Sequence, residues 1–424
     1  MGPLSAPSPS PPQPAPSPPG AAGTVSRPLA ATEAVFATAG TTITYYSLVA
    51  GTIDIAVLRR AYSILAHRNP VLFATIAVDG DVFTLRDGAP RRLPFWVSLR
   101  DPRRLFSGWA LPVDQARELT RLDVAVTGGE ATVGLTVHHA IADGRAGLAL
   151  LSELWALYAE SLSGRAIDTL VRPLPRPVEE CLPAGPAVPA DDFTDVPVSP
   201  LTGRPSVQDR FTVHLTAAET DVLAHYARDR GVSVHAVVTG AALVAEHRLS
   251  GRRGPELLLT SSAVDLRAAL PEPMGPLDGT NIIAVVPDGI VVDHHTRPVE
   301  VGRAVVDRIR AEVGSGVAAA RTVLADIDLP RSFTASPRSF VTNVGRVDDM
   351  ATPPGVHITD LRFAFPHQLT HSLTYVVLCW QGRLRVDVLY PVLGLAPERA
   401  RQLRTHLTAG LTELYPAPTA AVDG

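Results

Sequence analysis

The run His138-His139-Ala140-Ile141-Ala142-Asp143-Gly144 brings together the residue types in this chain best suited to chemistry. An imidazole that titrates near neutrality accepts a proton, returns it, or ligates a metal, and a nearby carboxylate can ligate too or fix the backbone around it. Three readings follow from these residues. One is a core histidine satisfied by the backbone. Another is a metal site built from His138, His139 and Asp143. The third is acyl transfer with His139 as general base. Neighbouring side chains on a strand leave from opposite faces, so one ion is poorly placed to take both histidines, and no metal site is expected.

A strand, a turn and a helix must hold that run. From Ala131 the chain alternates, with Val133, Leu135, Val137 and His139 on one face and Thr132, Gly134, Thr136 and His138 on the other. That is the period of two of a β-strand. His139 ends the aliphatic row and points where the core stops and a cleft begins. Asp143-Gly144 reads as a turn in which the glycine supplies backbone freedom. Leu148, Leu151, Leu154, Trp155, Tyr158 and Leu162 then recur at helical spacing from Arg145 onward. Upstream, Leu122 to Val126 and the turn Thr127-Gly128-Gly129-Glu130 complete a hairpin that delivers the motif.

The chain has 424 residues, 46% hydrophobic and 19% charged, a globular balance that at this length suggests two domains. A net charge of -4 leaves no basic footprint for nucleic acid. No apolar run reaches the roughly 20 residues of a membrane span. Cys181 and Cys379 lie in unlike contexts, which suits a reduced cytosol better than a disulfide framework.

Residues 1–27, mostly Pro, Ser and Ala, read as a disordered tail without the features of a signal peptide. Residues 28–163 read as a first lobe. It carries a strand over Thr42 to Val49, a helix capped by Asp54 and closed at Asn69-Pro70, and a hairpin of Val71 to Val78 with Val82 to Leu85. Residues 164–208 are a proline-rich crossing, and 209–424 a second lobe. There Phe211 to Leu215 is a strand, and Thr216 to Glu219 is a capping box. Ser233 caps a helix over Val234 to Arg248, apolar on nearly every side and therefore central. Strands are expected over Glu256 to Val264, Thr280 to Val286 and Phe340 to Gly345, with a helix over Arg303 to Val313. Val356 to Phe365, Leu373 to Trp380 and Leu384 to Leu389 look like a meander, and Pro397 to Leu414 like a closing helix.

The spacing His-His-x-x-x-Asp-Gly at 138–144 resembles the signature of the CoA-dependent acyltransferase superfamily. That superfamily includes chloramphenicol acetyltransferase, plant BAHD acyltransferases, nonribosomal peptide condensation domains and polyketide-associated acyltransferases. The resemblance is greatest to the polyketide-associated enzymes that esterify phthiocerol-type diols. It runs through Leu29 to Ala37, Asn69 to Leu72, His138 to Leu154, Val234 to Glu246, Val264 to Leu270 and Thr280-Asn281. Asn69 departs from the histidine common at that place. The resemblance implies an α/β (α+β, two-layer) fold of two chloramphenicol-acetyltransferase-like lobes, packed as a pseudo-dimer around a channel. In Ser262-Ala263-Val264-Asp265-Leu266-Arg267 it implies that Arg267 reaches Asp143 from the other lobe, so that Asp143 is structural and locks the turn carrying His139. A buried carboxylate needs such a partner, and a guanidinium can serve both oxygens. Thr342-Asn343-Val344-Gly345 resembles a turn the family places near the site, which makes Thr342 and Asn343 oxyanion or substrate candidates, although a plain turn fits the same residues. His138 is expected to support the strand.

The expected reaction passes an acyl group from a thioester, on CoA or on the phosphopantetheine arm of an acyl carrier protein, to an alcohol or amine. His139 would take the nucleophile's proton and return it to the departing thiol. No Gly-x-Ser-x-Gly elbow is present, so no covalent acyl-enzyme is expected, and no tightly bound cofactor either. A cytoplasmic monomer of natural-product or lipid metabolism is the matching setting. An amide-forming condensation enzyme and a non-catalytic carrier-binding relative remain open. Asp293-His294-His295 repeats the paired histidines without Asp-Gly and reads as a solvated loop, while His367 and His371 are candidates to line the channel.

Overall fold

The computed structural model describes residues 26–80, 82–88, 91–110, 112–168, 170–182, 185–186, 206–323, 339–366, 369–370 and 372–412. His367 and His371, about half of the proline-rich crossing, including all of 187–205, and residues 1–25 of the tail lie outside them. Ser26 and Arg27, assigned to the tail from the sequence, already belong to a strand, β1 (Ser26–Pro28), which pairs with β4 (Val82–Arg86).

The first half continues with α1 (Ala31–Ala39), β2 (Thr42–Ala50) and α2 (Ile55–Arg68). Asp54 caps α2, its Oδ1 accepting from the amides of Ala56 and Val57. Asn69 closes that helix: its Nδ2 donates to the Leu65 carbonyl at 2.9 Å, and its Oδ1 accepts from Arg172. The asparagine in place of histidine thus acts as a helix stop tied to the start of the crossing. Val71 to Phe73 is 3-10 helix, not strand, because Pro70 sits at its first turn and its three apolar side chains are all buried. The expected hairpin, β3 (Thr75–Asp79) with β4, follows it. Then come β5 (Phe95–Ser98), α3 (Pro102–Phe106), β6 (Thr120–Thr127), β7 (Glu130–His138) and α4 (Gly144–Ser163).

In β7 the alternation is present, but both faces are buried. Val133, Leu135 and Val137 enter a core with Leu58, Leu65, Leu150, Leu154 and Trp155 of α2 and α4. On the other face hydroxyls find partners: Thr136 bonds Thr44 at 2.7 Å, and Thr132 donates to the Pro102 carbonyl at 2.8 Å. A polar row can therefore be an inner row when each hydroxyl is satisfied.

The second half contains β8 (Ser206–His214), α5 (Ala217–Asp229), α6 (Val234–Ser250), β9 (Glu256–Asp265), β10 (Ile283–Val292), α7 (Pro298–Gly314) and α8 (Val317–Val323). It ends with β11 (Ser339–Val347), β12 (His357–Ala364), β13 (Leu369–Thr370), β14 (Thr374–Trp380), β15 (Arg383–Pro391) and α9 (Pro397–Thr412). Thr216 and Ser233 cap α5 and α6 as their sequences indicate. Helix α6 is buried along nearly its whole length, against strands of the second sheet and Leu403, Leu407 and Leu411 of α9.

Among the described residues the strands form a small sheet β1-β4-β3, a sheet β12-β2-β7-β6-β5, and a larger one, β10-β9-β11-β14-β15-β8-β13. Of the expected meander only the antiparallel pair β14-β15 forms, from Thr374↔Leu389 to Trp380↔Arg383. Strand β11 runs parallel to β14, and β12 leaves for the first sheet, pairing antiparallel with β2 from Ala364↔Thr44 to His357↔Ala50. Alternating apolar residues specify a strand but not its partner. Here Leu361, Phe363 and Ile358 find their burial in the first core. Each large sheet packs against its own helices, and the second half closes an edge of the first.

Candidate active site

Strand β7 ends at His138, whose backbone amide donates to Leu119, and the next residue leaves the ladder. The His139 amide donates to the Thr41 carbonyl at 2.8 Å, which fixes the backbone at the mouth of the sheet. The two imidazoles then differ sharply. His138 is fully buried, its Nδ1 accepting from the Ala140 amide at 3.2 Å. The proton of the neutral ring is therefore on Nε2, a buried atom with no hydrogen-bond partner among the described residues. Burial, with the neighbouring His139 adding to it, pushes its pKa down to about 4. His138 is a neutral packing residue.

His139 is only partly buried. Its Nδ1 lies 3.0 Å from Oδ1 of Asn281. The amide of Asn281 has one consistent orientation, because its Nδ2 donates to the carbonyls of His139 at 2.7 Å and Ala140 at 3.3 Å. Oδ1 must therefore face the ring, and Nδ1 must carry the proton. The lone pair left over is on Nε2. Phe36 stacks on the imidazole with ring centroids 3.8 Å apart and planes 4° from parallel. Burial lowers the pKa of His139 below its usual value, so the ring is neutral at neutral pH.

Asp143 is the N-cap of α4 rather than part of a free turn. Its Oδ1 accepts from the amides of Arg145 and Ala146, and its Oδ2 from the Ile282 amide at 3.0 Å. The guanidinium of Arg267 lies 2.9 Å from Oδ2, with both side chains largely buried. Arg267 also reaches Asp265 and the Pro276 carbonyl, and Arg145 pairs with Asp265 at 2.6 Å. Every lone-pair direction of Asp143 is used by its helix or by the second half of the chain, so the carboxylate holds backbone. Gly144 is the first residue of α4 and has no positive φ. A Cβ there would lie 3.8 Å from Val344, an ordinary van der Waals contact, so neither backbone freedom nor tight packing requires a glycine at this position. Gly147 is the tighter place: a Cβ would fall 2.0 Å from the Tyr45 ring, whose hydroxyl crosses the helix to donate to the Asp143 carbonyl.

Thr342 sits in the middle of the second sheet, paired with Ala263 and Val376. Asn343 accepts from the Gly345 amide at 2.8 Å, where β11 slips register at a bulge with Gly345 at φ 84°. Among the described residues neither Thr342 nor Asn343 hydrogen-bonds to His139, and Val344 of that bulge is what meets the start of α4. Asp293-His294-His295 is an exposed capped turn, with His294 bonded to the Arg253 carbonyl.

The site thus depends on Asn281 and Phe36, which no local pattern marks as functional. Thr280-Asn281 is marked in sequence by the family resemblance and as the start of an expected strand, without a role for either side chain, and that strand begins later than expected, at Ile283. Thr280 and Asn281 remain in the loop, where the Thr280 carbonyl accepts from the Asp143 amide at 2.8 Å.

The two-lobed architecture is shared with condensation domains and polyketide-associated proteins. Polyketide synthase associated protein 5 from Mycobacterium tuberculosis superposes with a TM-score of 0.76 over 91% of this chain and 97% of its own, at 22% identity. The first condensation domain of the calcium-dependent antibiotic synthetase gives 0.70 over 93% and 97%, at 19% identity. Residues 204–389 match the family described as phthiocerol/phthiodiolone dimycocerosyl transferase C-terminus. A phthiocerol/phthiodiolone dimycocerosyl transferase from Mycobacterium sp. (strain JLS) is 27% identical over 364 residues, 80% of this chain and 87% of the relative. The chain is a relative of these transferases, and the relationship makes it an enzyme of the acyltransferase class. No helix among the described residues is long and apolar enough to cross a membrane.

Proposed function

We propose that this enzyme moves an acyl group from a thioester, on CoA or on the phosphopantetheine arm of an acyl carrier protein, to a hydroxyl of a lipid or natural-product acceptor. The observation that carries the reading is the state of His139: neutral, with Nδ1 committed to Asn281 and Nε2 left with a lone pair. That is the form a general base requires. As the acceptor oxygen attacks the thioester carbonyl, its proton passes to Nε2 and the new C–O bond forms. The tetrahedral intermediate then collapses, the C–S bond breaks, and the thiolate takes the proton from the imidazolium. Ester and free thiol leave, and His139 is neutral again. Asp143 and Arg267 do not touch the reacting atoms; they hold the start of α4 and the loop carrying Asn281 in one register.

The test loads an acyl group on CoA or on a carrier protein and follows both partners by intact mass, with alcohol and amine acceptors in parallel. Transfer to alcohols supports the reading. Transfer to amines alone would place the enzyme among the amide formers, and thioester binding without turnover would mark a carrier-binding relative. His139→Ala is expected to lose roughly 100-fold or more in rate while staying folded. Near-normal turnover by that variant would remove His139 as the base.

A further inference from the structure

Helix α1 lies against the catalytic imidazole through more than one contact. The Phe36 ring covers one face of His139 at 3.8 Å and 4°. The Phe36 carbonyl accepts from the Thr41 amide at 3.0 Å, and the Thr41 carbonyl accepts from the His139 amide at 2.8 Å, so ring and backbone are tied to the same residue. One turn earlier, on the same helix face, Glu33 is fully buried. It pairs with Arg27 at 2.6 Å and accepts from the Thr280 hydroxyl at 2.8 Å, next to the asparagine that holds Nδ1. Gly40, in the left-handed conformation, ends the helix so that the chain turns directly into Thr41.

Two constraints on a planar ring are thereby set at right angles. Asn281 fixes rotation within the imidazole plane, and Phe36 fixes the plane itself. We propose that Phe36 is a positioning residue for the transfer, holding the His139 ring in the plane that aims Nε2 at the acceptor and offering a π-face to the imidazolium that forms. An aromatic face attracts a cation more than a neutral ring, so the contact strengthens as the proton arrives and favours the transition state over the resting state. This inference rests on His139 being the base.

The experiment uses the full chain with an octanoyl thioester of CoA and a primary alkanol, comparing wild type with Phe36→Leu, Phe36→Tyr and His139→Ala. Leucine keeps apolar cover and loses the π-face; tyrosine keeps the ring. For Phe36→Leu, kcat should fall about tenfold with KM changed less than about twofold, and Phe36→Tyr should restore the rate. The ring CH resonances of His139, identified among those of the 13 histidines by their loss in His139→Ala, give a second readout independent of turnover. A CH over a ring face resonates upfield, so these signals should move downfield in Phe36→Leu and stay in place in Phe36→Tyr. Unmoved signals, a loss confined to KM, or an equal loss in Phe36→Leu and Phe36→Tyr would overturn the inference. If His139→Ala itself kept full activity, the function proposed above would fail instead, and the unmoved or moved resonance would still decide whether Phe36 holds the ring.

Discussion

With His139 as the proposed base, the pH dependence of the enzyme is a sharp test at the residue scale. A base works only when deprotonated, and burial holds the His139 pKa below 6.5. The acid limb of kcat/KM should therefore turn down below pH 6.5, with the rate flat through neutrality; a turning point above it would contradict a desolvated, neutral imidazole. Asn281→Ala removes the acceptor that keeps the proton on Nδ1, lets either tautomer form, and should lower kcat by at least about tenfold with the fold intact, as checked by steady-state rates and circular dichroism. His139 and Asp143 were legible in the sequence because a dense motif stands out, and Arg267 because the segment from Ser262 resembles the acyltransferase family. Asn281 and Phe36 were not. Each is an ordinary residue whose role exists only because the fold places it on the ring, one from a loop 142 residues downstream. Asp143-Gly144 was legible as a turn, but what forms there is a helix start: the carboxylate caps it, and Gly144 is its first residue, with no positive φ.

Elements with strong local chemistry form where their sequences place them. Asp54, Thr216 and Ser233 each cap the helix they precede, since a side-chain acceptor at the first free amides acts locally. Pairing between distant strands has no such signature, which is why β12 was expected in a meander and instead lies beside β2. The apolar surround of α6 correctly marks it as central, yet conceals a carboxylate: Glu246 is inside, hydrogen-bonded by Ser339 at the start of β11 and by Tyr375 of β14. Burial is the larger influence and raises its pKa to about 7, against the opposing effect of those two hydroxyls. The folded protein then holds a proton between pH 4.5 and about 7 that the unfolded chain has already released. Stability must fall as pH rises through that window, by about 3 kcal/mol if burial is complete. Glu246→Gln retains an acceptor for Tyr375 and does not titrate, so its thermal midpoint should decline less than the wild type's between pH 5 and pH 8. Parallel curves would mean that Glu246 is already ionised in the folded protein.

At the scale of the whole molecule, the two halves are locked through the turn that carries His139. The Asp143 carboxylate takes Arg267 and the Ile282 amide, its own amide goes to Thr280, and Arg145 reaches Asp265. Any shift of one half against the other therefore moves Asn281 relative to His139, so stability and the proposed catalysis share the same bonds. The expected cost of breaking the central pair follows from what each partner keeps. Removing one member of a buried pair typically costs about 3–5 kcal/mol because a charge is stranded. Here Arg267 retains Asp265 at 3.2 Å, and Asp143 retains three backbone amides. Asp143→Asn and Arg267→Gln should each cost nearer to about 2 kcal/mol, with activity falling alongside. The double variant leaves neither charge facing an empty partner, so its loss should be smaller than the sum of the two, a coupling read from unfolding midpoints and rates in one cycle. The rate should show the coupling as clearly as the stability, since both variants loosen the same helix start and the same Asn281 loop. Additive losses in stability would mean that Asp143 is held by its amides alone. Additive losses in rate with coupled losses in stability would separate the two functions of the bridge, leaving Asn281 held in place by Thr280 and its own two carbonyl contacts.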